Sequence, residues 1–95
     1  MNIRDLLPHE KPVSTEVLFK SEHGAATAIQ ILQGEQLKEH VAKVPALLIC
    51  VHGKVVFENE NREKKLMLSG DYVSIDPMVK HWINAVSDSQ LILFK

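Results

Sequence analysis

Cysteine is nearly absent. Cys50 stands alone, which excludes an internal disulfide framework and a thiolate zinc cluster. Charge of one sign is missing too: 11 Lys and Arg face 12 Asp and Glu, a formal net charge of -1. Nucleic acid and an anionic membrane surface are therefore not expected partners, since both call for clustered positive charge. No long hydrophobic run exists; the longest purely apolar stretch is 46–51, far too short to cross a bilayer. The first residues, Met1-Asn2-Ile3-Arg4-Asp5, lack the charged-then-apolar layout of a signal peptide, and a cytoplasmic location is the expectation. Internal repeats and low-complexity segments are also lacking. What remains is ordinary globular composition, 45% hydrophobic and 24% charged, in 95 residues, enough for one domain with one modest core.

Turn signals punctuate that domain at short, even spacing: Pro8, Pro12, Gly24, Gly34, Pro45, Gly53, Gly70 and Pro77. Between them lie brief aliphatic or β-branched runs, the pattern of an all-β sandwich or barrel of about eight strands. The expected strands are 15–20, 26–32, 47–51, 54–58, 65–68, 71–76, 82–86 and 90–94. Leu48, Val73, Ile75 and Ile83 are the expected core. The runs 47–51 and 91–94 are apolar on both faces, so one face of each needs a cover outside the barrel. A symmetric homodimer is the expected cover, using the outward residues of these runs and Trp82, with 3–7 of the N-terminal segment supplying part of it. One segment resists the β reading. Residues 35–44 carry Leu37, Val41 and Val44 at i, i+4 and i+7, which by periodicity alone is an amphipathic helix stopped by Pro45.

Five histidines offer the main chemistry. No pair has the i, i+4 spacing of a helical metal site. His9 and His23 lie in polar, turn-like surroundings and read as surface. His40, His52 and His81 sit in a more telling frame: Gly34-x5-His40-x-Ala42-x3-Ala46-x6-Gly53, followed by Gly70-x10-His81 with Pro77 just before it. This text resembles the two signature motifs of the cupin superfamily, Gly-x5-His-x-His-x3,4-Glu-x6-Gly and Gly-x5-Pro-x-Gly-x2-His-x3-Asn. Gly34, His40, Gly53, Gly70 and His81 match. The departures fall on chemistry: Ala42 and Ala46 occupy the second histidine and the glutamate, and Met78 occupies the second motif's glycine. Pro77 is one position late, and Ala85 stands where the family has asparagine, with Asn84 one earlier.

The resemblance implies a single cupin domain over 1–95, a double-stranded β-helix with an N-terminal arm (1–13) and a barrel (14–95). It also overrules the helix, making 35–44 an extended run into the barrel. His40 and His81, ligands of one ion in the family, should converge at the barrel mouth. Two readings of the site stay open. In the first, the protein binds a small molecule in the barrel, its metal cage decayed and no reaction assignable. In the second, it is a metal-dependent enzyme, a dioxygenase or isomerase, holding iron, manganese, nickel or zinc through His40 and His81. Cys50 or His52 would then replace a missing ligand, because residues 46, 48, 50 and 52 share one face of a regular strand. Two alanines favour the first reading, and no resident cofactor is its expectation.

Overall fold

The short aliphatic runs do form strands. The computed structural model, describing residues 1–95, contains one turn of helix, α1 (Ile3–Leu6), and nine strands. These are β1 (Val13–Ser21), β2 (Gly24–Ile31), β3 (Gln36–His40), β4 (Ala46–His52), β5 (Lys54–Asn59), β6 (Lys64–Leu68), β7 (Tyr72–Ile75), β8 (His81–Ala85) and β9 (Ser89–Phe94). They make two facing antiparallel sheets, ordered β1-β2-β9-β4-β7 and β3-β8-β5-β6. The chain crosses between sheets four times after β4, so the fold is a double-stranded β-helix rather than a stack of hairpins. No helix is long and apolar enough to cross a membrane.

Segment 35–44 is where periodicity and resemblance disagreed, and the extended reading holds. Its first half is β3, paired with β8. The would-be helical stripe is not a buried face: Val41 and Val44 are exposed, while Ala42 is buried.

Inward residues of both sheets form one core of 14 buried side chains, among them Leu48, Phe57, Met67, Val73, Ile75 and Ile83. The four expected core positions are all in it. One end of the barrel is sealed where two crossovers meet. Gly53, at φ +98°, turns the chain from β4 to β5, and a Cβ there would collide with Ser89 Oγ and the Asp88 carbonyl. Ser89 is fully buried and stitches the crossovers together. Its hydroxyl accepts from Lys54 N at 3.0 Å and lies 2.7 Å from the Ser87 carbonyl, to which it donates.

The outer face of the five-stranded sheet is covered in part by the chain itself. Leu7 is buried, and Gln30 Nε2 donates to the Pro8 carbonyl at 2.9 Å. Gln90 Nε2 donates to Gln30 Oε1 at 3.0 Å beneath the arm. Beyond the arm, Phe19, Ala26, Phe94 and Leu47 form one cross-strand row on that face, with Phe19 66% exposed. Trp82 does not join them. It lies on β8, in the opposite sheet, so it and the outward residues of β4 and β9 cannot share one flat interface.

Candidate functional site

His40 ends β3 and His81 begins β8, and the two are direct cross-strand partners. Regular alternation would not achieve this. Leu37 faces inward opposite Ile83, and an inward residue three positions later breaks the period of two. The ladder absorbs the mismatch in a β-bulge: Lys38 and Glu39 together oppose the single residue Trp82. The bulge turns His40 back toward the barrel axis. The imidazoles meet edge to face, ring centroids 4.1 Å apart, as the resemblance led us to expect of residues 41 positions apart (81 − 40). Phe57 stacks on His81 at 5.8 Å.

Each ring is held the same way. His40 Nδ1 lies 3.1 Å from the Lys38 carbonyl, and His81 Nδ1 lies 3.2 Å from the Val79 carbonyl. A carbonyl only accepts, so each Nδ1 carries the proton and each neutral ring is left with Nε2 as an acceptor. His81 is 2% exposed. Its burial disfavours the charged form and lowers its pKa from 6.5. The Val79 hydrogen bond opposes that, while the charges of His40 and Lys95 add to the lowering. His81 is therefore held toward its uncharged form, at the end of the barrel away from Gly53.

Cys50 and His52 do not reach the pair. Cys50 is fully buried at the sealed end, its thiol 3.7 Å from the His52 carbonyl and 3.8 Å from that of Gly53. Along β5, Val55 near this end and Asn59 beside His81 are separated by four residues, roughly 13 Å. Burial and the Asp71 carboxylate raise the thiol's pKa, against a backbone hydrogen bond at His52 that lowers it. This is an inert core thiol rather than a ligand.

The expectation that His52 shares the face of Cys50 is corrected by a second bulge. Cys50 pairs with inward Leu91, but His52 pairs with outward Gln90, the extra residue being Val51. His52 therefore opens outward, lining a cleft of about 160 Å³ with Asn2, Arg4 and Gln90 under the arm.

The donor set does not fit the metal cage that the motifs imply. Ala42 and Ala46, which stand at the other two ligand positions, have no donor atoms and pack into the core at 3% and 8% exposure. A resident first-row metal takes three or four protein ligands, and no cluster of three His, Cys, Asp or Glu exists anywhere in the molecule.

Met78, at the second motif's glycine, has φ +65°, the left-handed region that glycine favours. Its amide donates to the Ala42 carbonyl at 2.8 Å, tying the 76–80 loop across the histidine end. Ala85 is buried at the asparagine position. Asn84 faces outward instead, bonded to Gln36 and Glu58.

No family model matches the sequence, and no curated protein resembles it at a significant level. Solved structures do resemble it. A cupin superfamily protein from Desulfitobacterium hafniense superposes with a TM-score of 0.87 at 15% identity, over 98% of this chain and 84% of that one. A conserved protein of unknown function from Streptococcus pyogenes gives 0.84 at 14% identity, over 99% and 82%. An RmlC-like cupin with a double-stranded β-helix fold from Methanocaldococcus jannaschii gives 0.78 at 22% identity, over 94% and 84%. At such identities the likeness is one of fold, and the fold is the cupin double-stranded β-helix.

Proposed function

We propose, on the premise of a cupin fold with two alanines in its ligand frame, that this protein is a small-molecule binder without a resident metal. Its ligand site is the histidine end of the barrel. The observation that supports this reading is the paired tautomer: both Nδ1 atoms are spent on backbone carbonyls, leaving two neighbouring Nε2 acceptors. Two acceptors beside an apolar core suit a small hydroxyl- or amine-bearing molecule that donates to both. A metal-dependent dioxygenase or isomerase needs a third ligand, and neither Cys50 nor His52 is placed to provide one. The reading includes a cytoplasmic homodimer. The row of Phe19, Ala26, Phe94 and Leu47 has no charged member in a chain that is 24% charged, and a second copy is its simplest cover.

Two measurements on protein purified without an affinity tag test the site. Elemental analysis should find iron, manganese, nickel and zinc all far below one per chain. Imidazole NMR during titration with glycerol and small primary amines should show His40 and His81 signals moving together. Because burial lowers the His81 pKa from 6.5, the response should weaken only at a pH below that value. A stoichiometric metal that survives dialysis and is lost in both His40→Ala and His81→Ala would reinstate the enzyme. Histidine signals indifferent to every probe would remove the binding reading.

A further inference from the structure

Outside the barrel, the four-stranded sheet carries a second arrangement that the histidine pair does not use. Trp82 is the half-buried ridge between two clefts. The first, about 380 Å³, is bounded by Gln36, Lys38 and Glu39, the last two being the bulge residues of β3. The second, about 350 Å³, runs along Glu58 to the β5–β6 turn, where Arg62 takes φ +66°. In each cleft the one apolar wall is Trp82 itself.

The indole is fixed from behind. Trp82 Nε1 donates to Glu58 Oε2 at 2.9 Å, and Asn84 Nδ2 donates to the same oxygen at 3.2 Å. Asn84 Oδ1 in turn accepts from Gln36 Nε2 at 3.0 Å, so one hydrogen-bonded chain spans β3, β8 and β5. Lys64 Nζ approaches Glu58 Oε1 at 4.0 Å. With its only polar atom occupied, the indole has nothing but its π-surface to offer a partner.

We infer that this outer face binds a neutral saccharide chain, one sugar ring lying on Trp82 and its neighbours occupying the two clefts. A pyranose presents C–H bonds on its face and hydroxyls around its rim. That matches a lone aromatic plane surrounded by carboxylates, amides and ammonium groups. Charge decides between saccharide classes. The clefts hold three cations, Lys38, Arg62 and Lys64, against four carboxylates, Glu39, Glu58, Glu60 and Glu63, so neither polyanion nor polycation is favoured. Two clefts flanking one ridge call for a chain rather than a single sugar. A cross-strand Trp–Glu pair that serves stability alone explains the hydrogen bonds equally well, and the experiment separates the two roles. The inference does not depend on what the histidine end binds.

Trp82 is the chain's single tryptophan, so its emission reads this face without a label. The probes are cellotetraose, maltotetraose and xylotetraose, with glucose and a galacturonate oligomer for comparison. At least one neutral tetrasaccharide should shift the emission and release heat in calorimetry, binding more tightly than glucose. Trp82→Ala should weaken that binding at least about tenfold, the loss typical of a central aromatic anchor. Exposed Lys38→Ala and Glu63→Ala, chosen to keep far-UV circular dichroism unchanged, should each weaken it measurably if Trp82→Ala does not fold. His40→Ala should leave it intact. The inference is overturned by no response to any neutral tetrasaccharide up to about 10 mM, far above a useful affinity. It is equally overturned by undiminished binding in folded Trp82→Ala or in both rim variants, by loss of binding in His40→Ala, or by binding confined to the galacturonate oligomer.

Discussion

Met78 shows how a residue with a bulky side chain can hold a backbone shape that glycine adopts more readily. The loop over the histidine end needs a left-handed residue, and Met78 supplies it under steric strain. Met78→Gly should relieve that strain at the cost of a more flexible unfolded chain, for a net gain of about 0.5–1 kcal/mol, read as a higher urea midpoint. The two shifted titratable groups set opposite limits on stability. His81 has a lowered pKa in the fold, so between that value and 6.5 the unfolded chain binds a proton that the folded chain refuses. Its contribution is complete above 6.5 and lost as pH falls through the folded value. Cys50 has a raised pKa, so its contribution is complete below 9.0 and declines as pH rises beyond it. Urea midpoints should therefore drop on both the acid and the alkaline side, and Cys50→Ala should flatten only the alkaline side.

At the scale of the element, the bulge in β3 explains both what the sequence conveys and what it conceals. Strand alternation over 71–76 is regular, and Val73 and Ile75 are buried where period two places them. Over 35–44 the inward residues are Leu37, His40 and Ala42, a spacing of three and then two. To a periodicity argument that is closer to a helix than to a strand. Only the motif frame identified the segment, because it carries spacing without assuming a regular ladder. The same kind of irregularity misled the reading of His52: one extra residue at Val51 reverses every face beyond it. The Trp82 clefts were not legible at all, since they arise from side chains on three strands that no local pattern connects. Deleting Glu39 tests the bulge. The strand should regularise with His40 two positions after Leu37, so His40 should stay inside the barrel opposite His81 and the contact shifts between the two imidazoles should persist. Their loss would show that the pairing needs the bulge itself. In the core, Leu48→Ala and Ile83→Ala should each cost roughly 2–5 kcal/mol, whereas Leu66→Ala on the exposed face should fall within about 0.5 kcal/mol of neutral.

Across the whole molecule, the two ends of the barrel differ in kind. One is sealed by Gly53 and Ser89, and the other gathers the histidines, the 76–80 loop and the β5–β6 turn. The proposed homodimer would use a third surface, the outer face of the five-stranded sheet. Light scattering at micromolar concentration should give twice the mass of one chain, and Phe19→Lys with Phe94→Lys should return it to the monomer. A monomer from the start would mean that the arm over Gln30 and Gln90 is cover enough.

Ala42 and Ala46 have a consequence for the changes such a barrel can accept. Both methyl groups are now part of the packed interior. Restoring a histidine or glutamate at either place alone would force a larger polar side chain into that interior with no ion to satisfy it. Overpacking and an unpartnered polar group cost roughly 1–3 kcal/mol each, a large share of the stability of a small domain. Building a metal cage at these two places would require both replacements and an ion at once. The packed methyl groups therefore act as a latch: single substitutions cannot open this interior to a metal cage, whereas the outer faces carry no such constraint.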